Sequence, residues 1–71
     1  MRVQIALDTM SDVTEFVNIV SRVPVPVHLV GDDFRVSATS LLGAIYTMEW
    51  NEVWCECSED IYQKIAKFIV L

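Results

Sequence analysis

Residues Arg2 to Leu7 alternate, with Val3, Ile5 and Leu7 on one parity and Arg2, Gln4 and Ala6 on the other. That period of two predicts a strand with one covered face. Asp8, Thr9 and Ser11 follow as candidate helix caps. Beyond them the period lengthens: Met10, Val13, Phe16, Val17 and Val20 share one side, while Asp12, Glu15 and Arg22 are polar. This predicts a helix from about Ser11 to Ser21, ended by Pro24, because the residue before a proline avoids the helical region.

Val25 to Val30 is the next expected strand, with Val27 and Leu29 inward and Pro26 and His28 outward. Gly31-Asp32-Asp33 is a turn signal, and Phe34 to Val36 would return as the second arm of a hairpin. Thr39 or Ser40 can then cap a short helix that runs through Leu41, Leu42, Ala44 and Ile45. Asn51 to Cys57 alternates again, with Val53, Cys55 and Cys57 on the inward parity and Glu52, Trp54 and Glu56 on the outward one. Ser58 is placed to cap a last helix, with Glu59 and Asp60 against its N-terminal dipole and Ile61, Ile65, Phe68 and Ile69 as its apolar stripe. The order β-α-β-β-α-β-α predicts an α+β fold: a four-stranded antiparallel sheet, open on one side, with three helices on the other.

Length limits what such a chain can do. With 71 residues it forms one domain, residues 1–71, and buries only about 60 % of its unfolded surface. A cleft, a nucleophile, a base and an oxyanion site rarely fit in so thin a core, so the expectation is a non-enzyme without cofactor. Ten acidic residues against five basic ones leave a net charge of −5, which argues against nucleic acid as a partner. The longest stretch without charge, Val36 to Met48, falls short of the roughly 18 residues needed to span a membrane. Only five residues separate Arg2 from Asp8, too few for the apolar part of a signal peptide, and a reduced cytoplasm is the expected compartment.

Candidate chemistry is sparse. Cys55 and Cys57 are the only cysteines; along a strand their Cα atoms lie about 6.6 Å apart, near the upper limit for a disulfide. Two thiolates are too few for structural zinc, and His28 has the opposite parity, so reduced core cysteines are expected and no metal. Trp54 falls on the open face beside Glu52 and Glu56. There it either packs flat across Gln4, Ala6 and His28 or marks a binding surface, including one for a second copy of the chain. Trp50 is expected in the loop before the last strand.

The element order, together with Val36-Ser37-Ala38-Thr39-Ser40-Leu41-Leu42-Gly43-Ala44, resembles the HPr family, the small phosphocarriers of the bacterial sugar phosphotransferase system. Its pattern there is Val-Asn-x-Lys-Ser-Ile/Leu-Met/Leu-Gly-Val, so Thr39 stands where the family has lysine. The family's phosphoryl-accepting histidine lies after the first strand in Gly-x-His-x-Arg-Pro-Ala. The corresponding stretch, Leu7 to Val13, contains no His, Arg or Pro. An imidazole nucleophile with a cation beside it is therefore missing, and two carboxylates stand in its place.

The second family site, a regulatory serine at the start of the middle helix, corresponds to Ser40, and Leu41 and Leu42 are similar to the apolar pair that members present to partners. The resemblance thus implies a regulatory, protein-binding relative of the phosphotransferase system and not a histidine phosphocarrier. Ser40 would be the phosphorylation candidate. HPr kinase and other phosphotransferase-system or catabolite-regulation proteins would be the partners. The alternative is an interaction module, homodimeric through Trp54, that reuses the fold.

Overall fold

The computed structural model describes all 71 residues, Met1–Leu71. Seven main elements follow one another: β1 (Arg2–Ile5), α1 (Met10–Val20), β2 (Val27–Val30), β3 (Arg35–Ser37), α2 (Leu41–Tyr46), β4 (Val53–Cys57) and α3 (Tyr62–Ile65). Single 3-10 turns extend α2 over Thr47–Glu49 and α3 over Ala66–Phe68. The strands form one antiparallel sheet in the order β1-β4-β2-β3. The α+β class, the open-faced sheet and the three helices agree with the pattern read from the chain.

The register sorts the side chains. Cys55 is flanked by Val3 on β1 and Leu29 on β2, and all three point under the helices. Ile5, Val27, Leu29, Val53, Cys55 and Cys57 are buried on that side. From above, α1 contributes Val13, Phe16 and Val20, and the C-terminal segment contributes Ile61, Ile65 and Phe68. Phe16 meets Phe68 edge to face, with centroids 5.5 Å apart, an arrangement the ring quadrupoles favour. The other side of the sheet carries Gln4, His28, Trp54 and Glu56 and has no helix.

Strand β1 ends at Ile5 and not Leu7, α1 ends at Val20, and four element starts move from their expected places. Helix α1 starts one residue early because Thr9 is the cap: its hydroxyl accepts the Asp12 N–H at 3.0 Å, and the Asp12 carboxylate accepts the Asp8 N–H at 3.1 Å. Strand β2 begins at Val27 and not Val25, since Pro26 has no N–H to give the ladder. The hairpin turn takes four residues, closed by the Gly31 N–H on the Phe34 carbonyl at 2.9 Å, so Phe34 sits in the turn and β3 starts at Arg35. Strand β4 starts at Val53, after the loop through Trp50 and Asn51.

The C-terminus departs most. Ser58 does not cap a helix; Ile61 occupies the cap position of α3, and the Asp60 carboxylate accepts the Tyr62 N–H at 2.9 Å. Helix α3 is a single turn. After Phe68 the chain becomes extended and runs beside β1: Ile69 pairs with Ile5, the Ala6 N–H reaches the Phe68 carbonyl, and the Val70 N–H reaches the Gln4 carbonyl. The free edge of β1 would otherwise offer unpaired backbone groups, and the chain end satisfies them. Lys67 ties the same segment to α1 through the Glu15 carboxylate at 2.8 Å; that hydrogen bond raises the pKa of its ammonium.

Candidate functional site

The start of α2 is built by Ser40. Its backbone is extended, its hydroxyl accepts the Gly43 N–H at 3.1 Å, and its carbonyl accepts the Ala44 N–H at 2.9 Å. Between Thr39 and Ser40, the cap is therefore Ser40. Thr39 instead exchanges a 2.9 Å contact with the Ser37 hydroxyl. Gly43 lets the helix lie close to β3: a Cβ there would meet the Val36 Cβ at 3.2 Å and the Ser40 Oγ at 3.3 Å.

Only Ala44 of α2 is fully buried. Leu41 and Leu42 remain exposed, Leu42 by 66 % of its surface, beside the exposed Ser40 hydroxyl. Tyr46, one turn beyond Leu42 and on the same face, is 59 % exposed. An apolar strip thus runs along the outside of a six-residue helix, continuous with its capping serine.

Trp54 lies on the open face, as its parity requires. Gln4 stands opposite in the register, the Arg2 guanidinium lies 5.0 Å from the ring centroid, and the indole N–H donates to Glu52 at 3.2 Å. A cation over the ring and a carboxylate at its N–H satisfy this tryptophan within the chain. His28 lies 3.4 Å from the Arg35 guanidinium through Nδ1, and Arg2 pairs with Glu56 at 3.6 Å. The open face is a mixed-charge surface.

Cys55 and Cys57 are free thiols, both buried on the covered face. Burial, aided by the neighbouring Cys57, pushes the Cys55 thiol from 9.0 up to about 12, so it stays protonated and unreactive at neutral pH. No helix is long and apolar enough to cross a membrane.

Sequence reading missed one feature. Phe34, displaced from the strand into the turn, stacks on Trp50 with centroids 5.8 Å apart and planes 20° from parallel. Beside them, Val36, Tyr46 and Glu49 complete a recess of about 460 Å³. The available signal was the cluster Phe34, Tyr46 and Trp50, three aromatic residues flanking short elements without a place in any predicted core stripe. Comparison of the chain with protein-family models, with curated proteins and with solved structures returns no match.

Proposed function

We propose that the chain is a non-enzymatic, protein-binding domain of HPr type, regulatory in its role, whose contact surface is the start of α2. The observation that carries this reading is the exposed pair Leu41 and Leu42 next to an exposed capping serine. Leaving them in water forgoes roughly 1.5–3 kcal/mol for each side chain that a partner would bury. The element order and the segment Val36 to Ala44 support the family assignment. The absence of His, Arg and Pro from Leu7 to Val13 supports a regulatory member over a phosphocarrier. Ser40 is the residue to be phosphorylated, and the partners are an HPr kinase and the catabolite-regulation proteins that read its product.

Two measurements test it. Intact mass is followed after incubation with ATP and a bifunctional HPr kinase, and separately with phosphoenolpyruvate and the general phosphotransferase enzyme. The expected result is one phosphate with ATP, lost in Ser40→Ala, and none with phosphoenolpyruvate. In the second, isotope-labelled protein is titrated with the kinase, and amide shifts concentrate between Ser40 and Tyr46. A phosphate that persists in Ser40→Ala, a gain from phosphoenolpyruvate, or shifts confined to the open face around Trp54 each overturns the reading.

A further inference from the structure

The recess at Phe34 and Trp50 has a second half. Asp32, Asp33, Asn51 and Glu52 line an adjoining hollow of about 170 Å³, and the two halves share Phe34, Glu49 and Trp50. One half is apolar and aromatic; the other is rimmed by carboxylates. Of the chain's ten acidic residues, four (Asp32, Asp33, Glu49 and Glu52) gather here. Neither of the chain's ion pairs, Arg2–Glu56 and Lys67–Glu15, involves them.

The aromatic half is held in shape from behind. The Trp50 N–H closes the 3-10 turn on the Thr47 carbonyl at 3.0 Å, and the buried Thr47 hydroxyl donates to the Ala44 carbonyl at 2.7 Å. The indole then rests on Gly31, so closely that a Cβ there would come within 2.7 Å of its six-membered ring. Trp50 is therefore fixed between a glycine backbone and the Phe34 ring, and Phe34 itself is 63 % exposed. A rigid aromatic stack beside carboxylates that lie outside both ion pairs, of which only Glu52 is engaged, by the Trp54 N–H, complements a long side chain with an apolar stem and a delocalised cationic end.

We propose that this corner docks an arginine side chain of a protein partner, its stem against Val36 and Tyr46 and its guanidinium over the exposed face of the Phe34 ring and toward Glu49. This deepens the protein-binding reading and rests on it, since it names the side chain that the partner brings to the flank of α2. Charge complementarity selects the occupant. A second copy of this chain would add its own −5 to the acidic rim, and a lipid or nucleic acid surface would add phosphates.

The test uses the full chain carrying Trp54→Phe, which leaves Trp50 as the only indole, with far-UV circular dichroism to confirm the fold. Its emission is followed during titration with the blocked tripeptide acetyl-Leu-Arg-Leu-amide and with the same peptide carrying citrulline, a neutral isostere. The arginine peptide is expected to change Trp50 emission saturably, with the citrulline peptide about threefold or more weaker. Glu49→Gln, at an exposed position, is expected to narrow that gap, and added salt to do the same. Equal binding of the two peptides would show an apolar groove only. A lack of saturable change with the arginine peptide would also overturn the arginine assignment. Both outcomes leave the kinase titration unaffected; failure of the protein-binding reading appears there as absent shifts between Ser40 and Tyr46.

Discussion

Two regions of this small domain use the same residue types to opposite ends. Under α1, Val13, Phe16, Val20, Leu29, Cys55 and Ile65 are fully buried and touch only one another and their neighbours. At the corner made by the hairpin turn, α2 and its 3-10 extension, Phe34, Leu41, Leu42 and Tyr46 stand in water. The difference follows from element length. The eleven residues of α1 give three turns, enough for one stripe to face the sheet and another to face solvent. The six residues of α2 give less than two turns, and only Ala44 is fully covered. Ile45 packs partly against the core, while Leu41, Leu42 and Tyr46 lie outside it. They are a cost to solubility unless something else covers them, which is why the functional reading falls on this corner and not on the better-packed half.

The contrast breaks most visibly at Phe16. Its ring is fully buried and packs edge to face on Phe68, so it links α1 to the segment that closes the β1 edge. Phe16→Ala is expected to cost about 3–5 kcal/mol, by lost transfer free energy and the cavity left behind. A domain of this length has roughly 4–10 kcal/mol of total stability, so the variant stands near or below the folding threshold. Urea unfolding followed by circular dichroism measures it. A loss below about 1 kcal/mol would mean that the C-terminal segment collapses into the space and that the core is not the rigid half of the molecule.

What the sequence made legible follows the same division. Alternation along the strands and the long stripe of α1 placed ten of the fifteen core residues, because burial on a regular element repeats with that element's period. Residue type and order narrowed the cap of α2 to Thr39 or Ser40, and the exposure of Leu41 and Leu42 was expected only from the resemblance to the HPr family. The C-terminus was not. The spacing of Ile61, Ile65, Phe68 and Ile69 is helical, yet the helix stops after one turn and Ile69 pairs with Ile5. A local period carries no record of an open strand edge elsewhere, and that edge decides the last residues. The aromatic recess was hidden for a related reason. Gly31 reads as a turn residue, but its φ is not positive; it is needed because Trp50, 19 positions along the chain, lies on its backbone.

That role of Gly31 sharpens the comparison, because it sets the packed half against the open corner at one atom. A Cβ at Gly31 would lie 2.7 Å from the Trp50 Cε3, and the ring cannot stay where it is. Gly31→Ala is expected to cost about 1–3 kcal/mol and to shift Trp50 emission in the Trp54→Phe background. Gly43→Ala is the matched control. The nearest contact there is 3.2 Å to Val36, and alanine recovers up to about 1 kcal/mol of helix propensity, so the two terms nearly cancel. If both glycine variants lose stability equally, the close approach at Trp50 is not special and the recess is less rigid than its geometry implies.

A small stability effect is also expected at Leu42, and its smallness is the point. Truncating a buried leucine in the packed half, Leu29→Ala, removes contacts on every side and costs about 2–5 kcal/mol. Leu42→Ser removes a similar apolar surface from a position that is 66 % exposed, and is expected to stay within about 0.5 kcal/mol of the parent. For a domain of this size that corresponds to a thermal midpoint change of no more than roughly 4 °C. The same substitution is expected to weaken the kinase-induced shifts between Ser40 and Tyr46, since the surface it removes is the one a partner would bury. Stability retained with the footprint lost assigns Leu42 to recognition. A loss of stability comparable to Leu29→Ala would assign it to the core, and the exposed strip along α2 would then be part of the fold's own packing and not a surface held open for another protein.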